Sequence, residues 1–132
     1  MIARDAADLS WLLAGLVNRV QSVRFVAVVT GDGRALGSSG ELSTERIADL
    51  AGISAGIAGL FAGWVDTDRV VLIASIMVEM AGGYLLIMPI SDNLSCVAWV
   101  DRAGNVGETA YELARFVGRL GSGRPLPSGD EV

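Results

Sequence analysis

The stretch LAGISAGIAGLFAGW, Leu50 to Trp64, decides how the rest of the chain is read. It is uncharged and its flanks predict a helix, yet it carries Gly52, Gly56, Gly59 and Gly63. An interior glycine costs about 1 kcal/mol relative to alanine in a helix. Three of them cost about 3 kcal/mol, a large share of the ~5–15 kcal/mol that keeps a small domain folded. Membrane insertion or close packing against a partner would offset that cost. A span needs about 20 apolar residues. Only 16 uncharged positions lie between Asp49 and Asp66, and four are glycine. No direct membrane insertion is expected.

Wound at 100° per residue, Gly56, Gly59 and Gly63 fall within about 40° of Gly52. Leu50, Ile53, Ile57, Leu60, Phe61 and Trp64 form a broad bulky side, and Ala48, Ala51, Ala55, Ala58 and Ala62 a third. A helix uncharged all round is buried nearly all round. The bulky side suits the chain's own sheet. The smooth side suits a second helix whose backbone comes close, as in small-residue seams. A chain of 132 residues has too few helices of its own to cover that side. The economical partner is the same helix in a second copy, across a twofold axis.

Outward from this helix, the pattern gives helix, strand, strand, helix, strand, strand, strand, helix. Asp8 stands as N-cap before Leu9, Leu12, Leu13, Leu16, Val17 and Val20, which predicts a first helix over 9–20. VRFVAVVT (23–30) and ALGSS (35–39) form a hairpin around the tight turn Asp32-Gly33. Ser43 or Thr44 caps the glycine helix, and VDTD (65–68) ends it. A third strand lies within 69–80. YLLIMPI (84–90) follows the AGG turn, and LSCVAWV (94–100) follows SDN. The last helix spans about 106–120, with Tyr111, Leu113, Ala114, Val117 and Leu120 as its periodic residues and Tyr111 and Phe116 read as core. Short connections imply an antiparallel sheet of five strands. Strands one, three, four and five are apolar at nearly every position, so helices should cover both faces. One domain over 8–120 is expected, with flexible termini at 1–7 and 121–132.

Composition narrows the function. Net charge is −5, against nucleic acid as a partner. There is no histidine, which removes the commonest general base and metal ligand. Cys96 is alone in an apolar run and reads as a small buried hydrophobe. MIARDAADLSWLL lacks the pattern of a signal peptide, and a cytoplasmic location is expected. GDGRALGSSG lacks the lysine of a phosphate loop and lies in a hairpin. Asp66 and Asp68 lack further ligand spacing, so no metal or other cofactor is expected. Glu79 reads as a solvent-facing residue near an exposed sheet edge, and Trp11, Trp64 and Trp99 are too scattered to form a binding box.

LSWLLAGLVNRVQSVRFVAVVTGDGRALGSS, VEMAGGYLLIMPI and GETAYELARFVGRL, taken in this order, resemble the Roadblock/dynein light-chain family in its bacterial form. The likeness rests on GDG, VEM-x-GGYL and AYELA at these separations and covers roughly 8–120. It implies an α+β, profilin-like fold: a five-stranded antiparallel sheet with the central helix on one face and the terminal helices on the other. It implies homodimers formed through the central helix and third strand, here Gly52, Ala55, Gly56, Gly59, Ala62 and Gly63 with Ser75, Met77 and Glu79. It also implies a non-enzymatic regulator or scaffold for a small Ras-like GTPase. In actinobacteria such proteins accompany a sensor-kinase-like membrane protein. Glu41, Glu45, Arg46 and Asp49, which precede or open the central helix, are the GTPase-contact candidates. The glycine-rich central helix departs from relatives that carry alanine, leucine or charge there. The alternative is a profilin-like ligand-sensing module, for which Ser54, Ser75 and Ser95 are the chief polar candidates in an otherwise apolar interior.

Overall fold

Strands rich in β-branched residues and apolar at successive positions must be covered on both sides, and the computed structural model shows how. It describes residues 6–64, 75–91 and 93–122. The order is α1 (Ala6–Arg19), β1 (Val23–Thr30), β2 (Ala35–Gly40), α2 (Thr44–Trp64), β3 (Ile76–Met80), β4 (Gly83–Ser91), β5 (Leu94–Asp101) and α3 (Val106–Ser122). The sheet is antiparallel with spatial order β2-β1-β5-β4-β3, so β2 and β3 are its edges. The expected α+β fold is the one observed.

Alternation along the strands divides the interior in two. Val26 and Val28 of β1, Leu86 and Met88 of β4, and Cys96, Ala98 and Val100 of β5 face one way. There they meet Leu9, Leu13 and Leu16 of α1 and Leu113, Phe116, Val117 and Leu120 of α3. Ala27, Val29, Leu85, Ile87 and Val97 face the other way, toward Ala51 of α2, with Leu50, Ile57, Ile76, Val78 and Trp99 packed around them. α2 thus covers one face, and the terminal helices the other.

Several local expectations are corrected. Asp8 is not the N-cap of α1; the helix starts at Ala6 and Asp8 lies in its first turn, a placement that suits its charge against the helix dipole. The β1–β2 hairpin closes at Thr30 and Arg34 with three residues between them, rather than with a two-residue turn. Gly33 N–H donates to the Thr30 carbonyl at 3.0 Å, Thr30 N–H donates to the Arg34 carbonyl at 2.7 Å, and Gly33 closes the loop at φ +91. This is a type I turn followed by a left-handed glycine. Tyr111 and Ala114 are not core; both turn outward from α3, whose buried stripe is Thr109, Leu113, Phe116, Val117 and Leu120. Asn105 caps α3, its side-chain oxygen accepting from Glu108 N–H at 3.1 Å. The helices extend slightly past 8 and 120. The VDTD breaker, the first part of the third strand at 69–74 and the tail at 123–132 lie outside the described residues.

Candidate interaction surface

Helix α2 begins where Ser43 caps it: Ile47 N–H donates to the Ser43 carbonyl at 2.9 Å and Arg46 N–H to its hydroxyl at 3.3 Å. Its side toward the sheet is narrow and made of small residues. Ala51 is fully buried, Ser54 is 1% exposed, and Leu50 and Ile57 flank them half-buried. The expectation that the whole bulky side would meet the sheet is therefore wrong. Leu50 and Ile57 do so, but Ile53 is 56% exposed and Leu60 76% exposed. Alanine at position 51 lets the helix axis approach the strands, and that rotation carries Ile53 and Leu60 outward.

The glycine line faces solvent. A Cβ on Gly52, Gly56 or Gly59 would meet nothing within 4 Å. Toward the N-terminus the line continues through Asp49 and Glu45, both exposed, at the same alternating spacing of four and three. Glu41 and Arg46 are exposed beside it, and Ala55 is half-buried on its flank. Gly33, at the tip of the β1–β2 loop, lies against the helix; a Cβ there would stand 3.5 Å from Gly52 Cα. That tip is a tied structure. The Thr30 hydroxyl donates to the Asp32 carboxylate, Arg34 pairs with Asp32 at 3.3 Å, and Gly31 N–H donates to the Asn93 carbonyl at 3.0 Å. The Thr30 hydrogen bond, helped by the charge and hydrogen bond of Arg34 and outweighing an opposing desolvation, holds Asp32 below the usual carboxylate range.

Of the nine expected self-association residues, those whose side chains are described lie on more than one surface. Gly52, Gly56 and Gly59 share the outer side of α2. Met77 and Glu79 are exposed on β3, but alternate with Ile76 and Val78, which pack toward α2. Met77 and Glu79 therefore lie on the sheet face of the terminal helices. Ser75 is exposed just before β3. Ala62 and Gly63 are in the last turn of α2, and their side chains lie outside the described residues.

Two further groups bear on chemistry. Cys96 is fully buried, and burial pushes its thiol up to about 12, so it stays protonated and out of reach at neutral pH. The hydroxyl of Ser54 is the one buried side-chain polar atom without a hydrogen-bond partner among the described residues. An orphaned buried hydroxyl carries its full desolvation cost. Ser54→Ala is expected to raise stability by about 1 kcal/mol, read as a higher urea midpoint at unchanged slope. Among the described residues no group of three carboxylates or thiols is placed to hold a metal ion, and no helix is long and apolar enough to cross a membrane.

Sequence reasoning missed Ile53 and Leu60 as exposed apolar residues, although a signal was present. Glu45, Asp49 and Ile53 stand four apart on one ridge, so the two carboxylates mark the solvent side that Ile53 shares. It also missed Arg102, a turn residue with no periodic signature, which pairs with Glu79 at 3.0 Å.

The sheet, with one helix on one face and two on the other, places the chain in the profilin-like α+β class. Profilin IA of Acanthamoeba castellanii superposes with a TM-score of 0.58 at 14% identity, over 86% of this chain and 96% of that one. The Roadblock/LC7 domain matches residues 9–98, and the chain belongs to that family. A Roadblock/LC7 domain from Streptomyces avermitilis is similar at 26% identity and a TM-score of 0.67, over 83% of this chain and 94% of that one. MglB of Myxococcus xanthus shares the fold at a TM-score of 0.76 and 16% identity, over 86% of this chain and 92% of that one. None of the curated proteins matches.

Proposed function

We propose that the chain is a non-enzymatic regulator or scaffold that pairs with a second copy of itself and docks a small Ras-like GTPase in bacterial signalling. The observation that carries this reading is the outer side of α2. There a bare glycine line, flanked by exposed Ile53 and Leu60, runs on into the acidic pair Asp49 and Glu45. The apolar part suits a second copy, whose backbone can approach closely where no side chain stands. The acidic end suits a partner steered by charge. Family membership supports a regulatory domain, and MglB, which shares the fold, has a solved structure with a tetrameric arrangement. The setting is the cytoplasm, with a sensor-kinase-like membrane protein as a further partner.

Charge reversal at both Glu45 and Asp49 tests the GTPase face. The double variant is expected to bind a nucleotide-loaded Ras-like GTPase about tenfold more weakly, mostly through a slower on-rate, with self-association intact. Unchanged binding in that variant, with loss on mutating Arg115 and Arg119 of α3, places the GTPase on the opposite face and contradicts the reading.

A further inference from the structure

Arg102 lies in the turn after β5, yet its side chain reaches β3, two strands away. On the way the guanidinium passes over the ring of Tyr84 on β4, 5.7 Å from its centroid. Nη1 then donates to the Met80 carbonyl at 2.9 Å and Nη2 to the Glu79 carboxylate at 3.0 Å. One side chain thus holds both the backbone and a side chain at the end of an edge strand only five residues long. Arginine suits this task because its planar fork can stack and donate in two directions at once.

Of the two held residues, Glu79 is the one whose backbone faces outward along the edge. Met80 pairs with Gly83 across a two-residue loop, which makes them the hydrogen-bonded pair nearest the turn. Antiparallel alternation then gives Val78–Leu85 and Ile76–Ile87 as the next bonded pairs. The N–H and C=O of Glu79 and Met77 consequently point to the open edge. A second β3 pairing there about a twofold axis brings two Glu79 carboxylates onto the same sheet face, and like charges across a strand pair are destabilising.

We propose that Arg102 is the positioning residue of the β3 edge, fixing its register and neutralising Glu79 so that a second copy of this chain can pair with it. The proposal rests on the self-association reading above. The test uses the full chain with Arg102→Ala, Arg102→Lys and Glu79→Gln, read by sedimentation equilibrium and by amide hydrogen exchange. Arg102→Ala is expected to speed exchange at Met80 and Gly83, leave Val97 and Ala98 unchanged, and weaken self-association about tenfold. Arg102→Lys restores the charge but not the fork, so it should recover the salt dependence and only part of the affinity. Glu79→Gln removes the repelling charge and should partly rescue Arg102→Ala when the two are combined. A double variant no tighter than Arg102→Ala overturns the neutralising role, and unchanged exchange at Met80 in Arg102→Ala overturns the positioning role. If Arg102→Ala associates as tightly as wild type, Arg102 is irrelevant to pairing. A wild-type chain that stays monomeric at every concentration overturns the self-association reading itself, and the proposal with it.

Discussion

Gly40→Ala is expected to destabilise the chain by about 3 kcal/mol or more. Gly40 closes β2 at φ +113, a conformation that residues with a Cβ rarely adopt. Such strain alone costs about 1–3 kcal/mol. The space is also closed: a Cβ would overlap the Arg24 carbonyl oxygen and stand 2.6 Å from Phe25 Cα. Both are backbone atoms of β1, which pairs with β2 through Phe25 and Gly40, so neither can yield without shifting the ladder. Urea unfolding of the variant should show a lower midpoint. A midpoint at or above that of the wild type would mean the strand end accommodates the methyl, and the account of Gly40 would be wrong.

The same substitution on α2 is expected to have the opposite sign. Gly52, Gly56 and Gly59 sit in helical backbone with open space where a Cβ would go. Changing all three to alanine should stabilise the isolated chain by about 3 kcal/mol, the sum of three helix-interior replacements. The measurement belongs at a dilution where the chain is monomeric, because association adds its own stabilisation. At higher concentration the three methyls occupy the seam that a second helix would fill. Overpacking of about 1–3 kcal/mol then weakens self-association about tenfold or more. A triple variant that is both more stable and equally tight in self-association would show that the seam is not the contact. The glycine cost that first marked this helix is thus a cost to the monomer, and pairing is what would offset it.

How much of this was legible depended on the kind of signal. Runs such as VRFVAVVT and LSCVAWV carry their own explanation, because a strand apolar at every position needs cover on both faces, as Val26 against α1 and Ala27 against α2 confirm. The orientation of α2 was harder. Periodicity sorts its residues into sides but not which side meets the sheet, and size suggested the bulky one. Packing chose Ala51 and Ser54 instead, because a small residue at the contact lets the helix approach. Tyr111 was misplaced for a related reason: an amphipathic ring fits the edge of an apolar stripe without belonging to it. Its ring lies under the Arg115 guanidinium at 5.8 Å rather than in the core. The Arg102 contacts were beyond sequence reading altogether, since they join a turn to a strand two places away in the sheet.

The spatial order of the strands has a kinetic consequence. β1 and β5 are neighbours at the centre of the sheet, although they come from opposite ends of the domain. One unit, α1 with the β1–β2 hairpin, is local in the chain, and so is another, β3 through α3. Neither completes the core alone, because Val26, Val28, Cys96 and Ala98 pack in one cluster across the β1–β5 junction. Closing that junction means paying the loop entropy of the whole intervening segment before the reward of burial arrives. Such non-local closure sets folding speed more than stability does. Substitutions at the β1–β5 junction are therefore expected to slow folding, whereas those on the outer side of α2 should act on unfolding or on assembly.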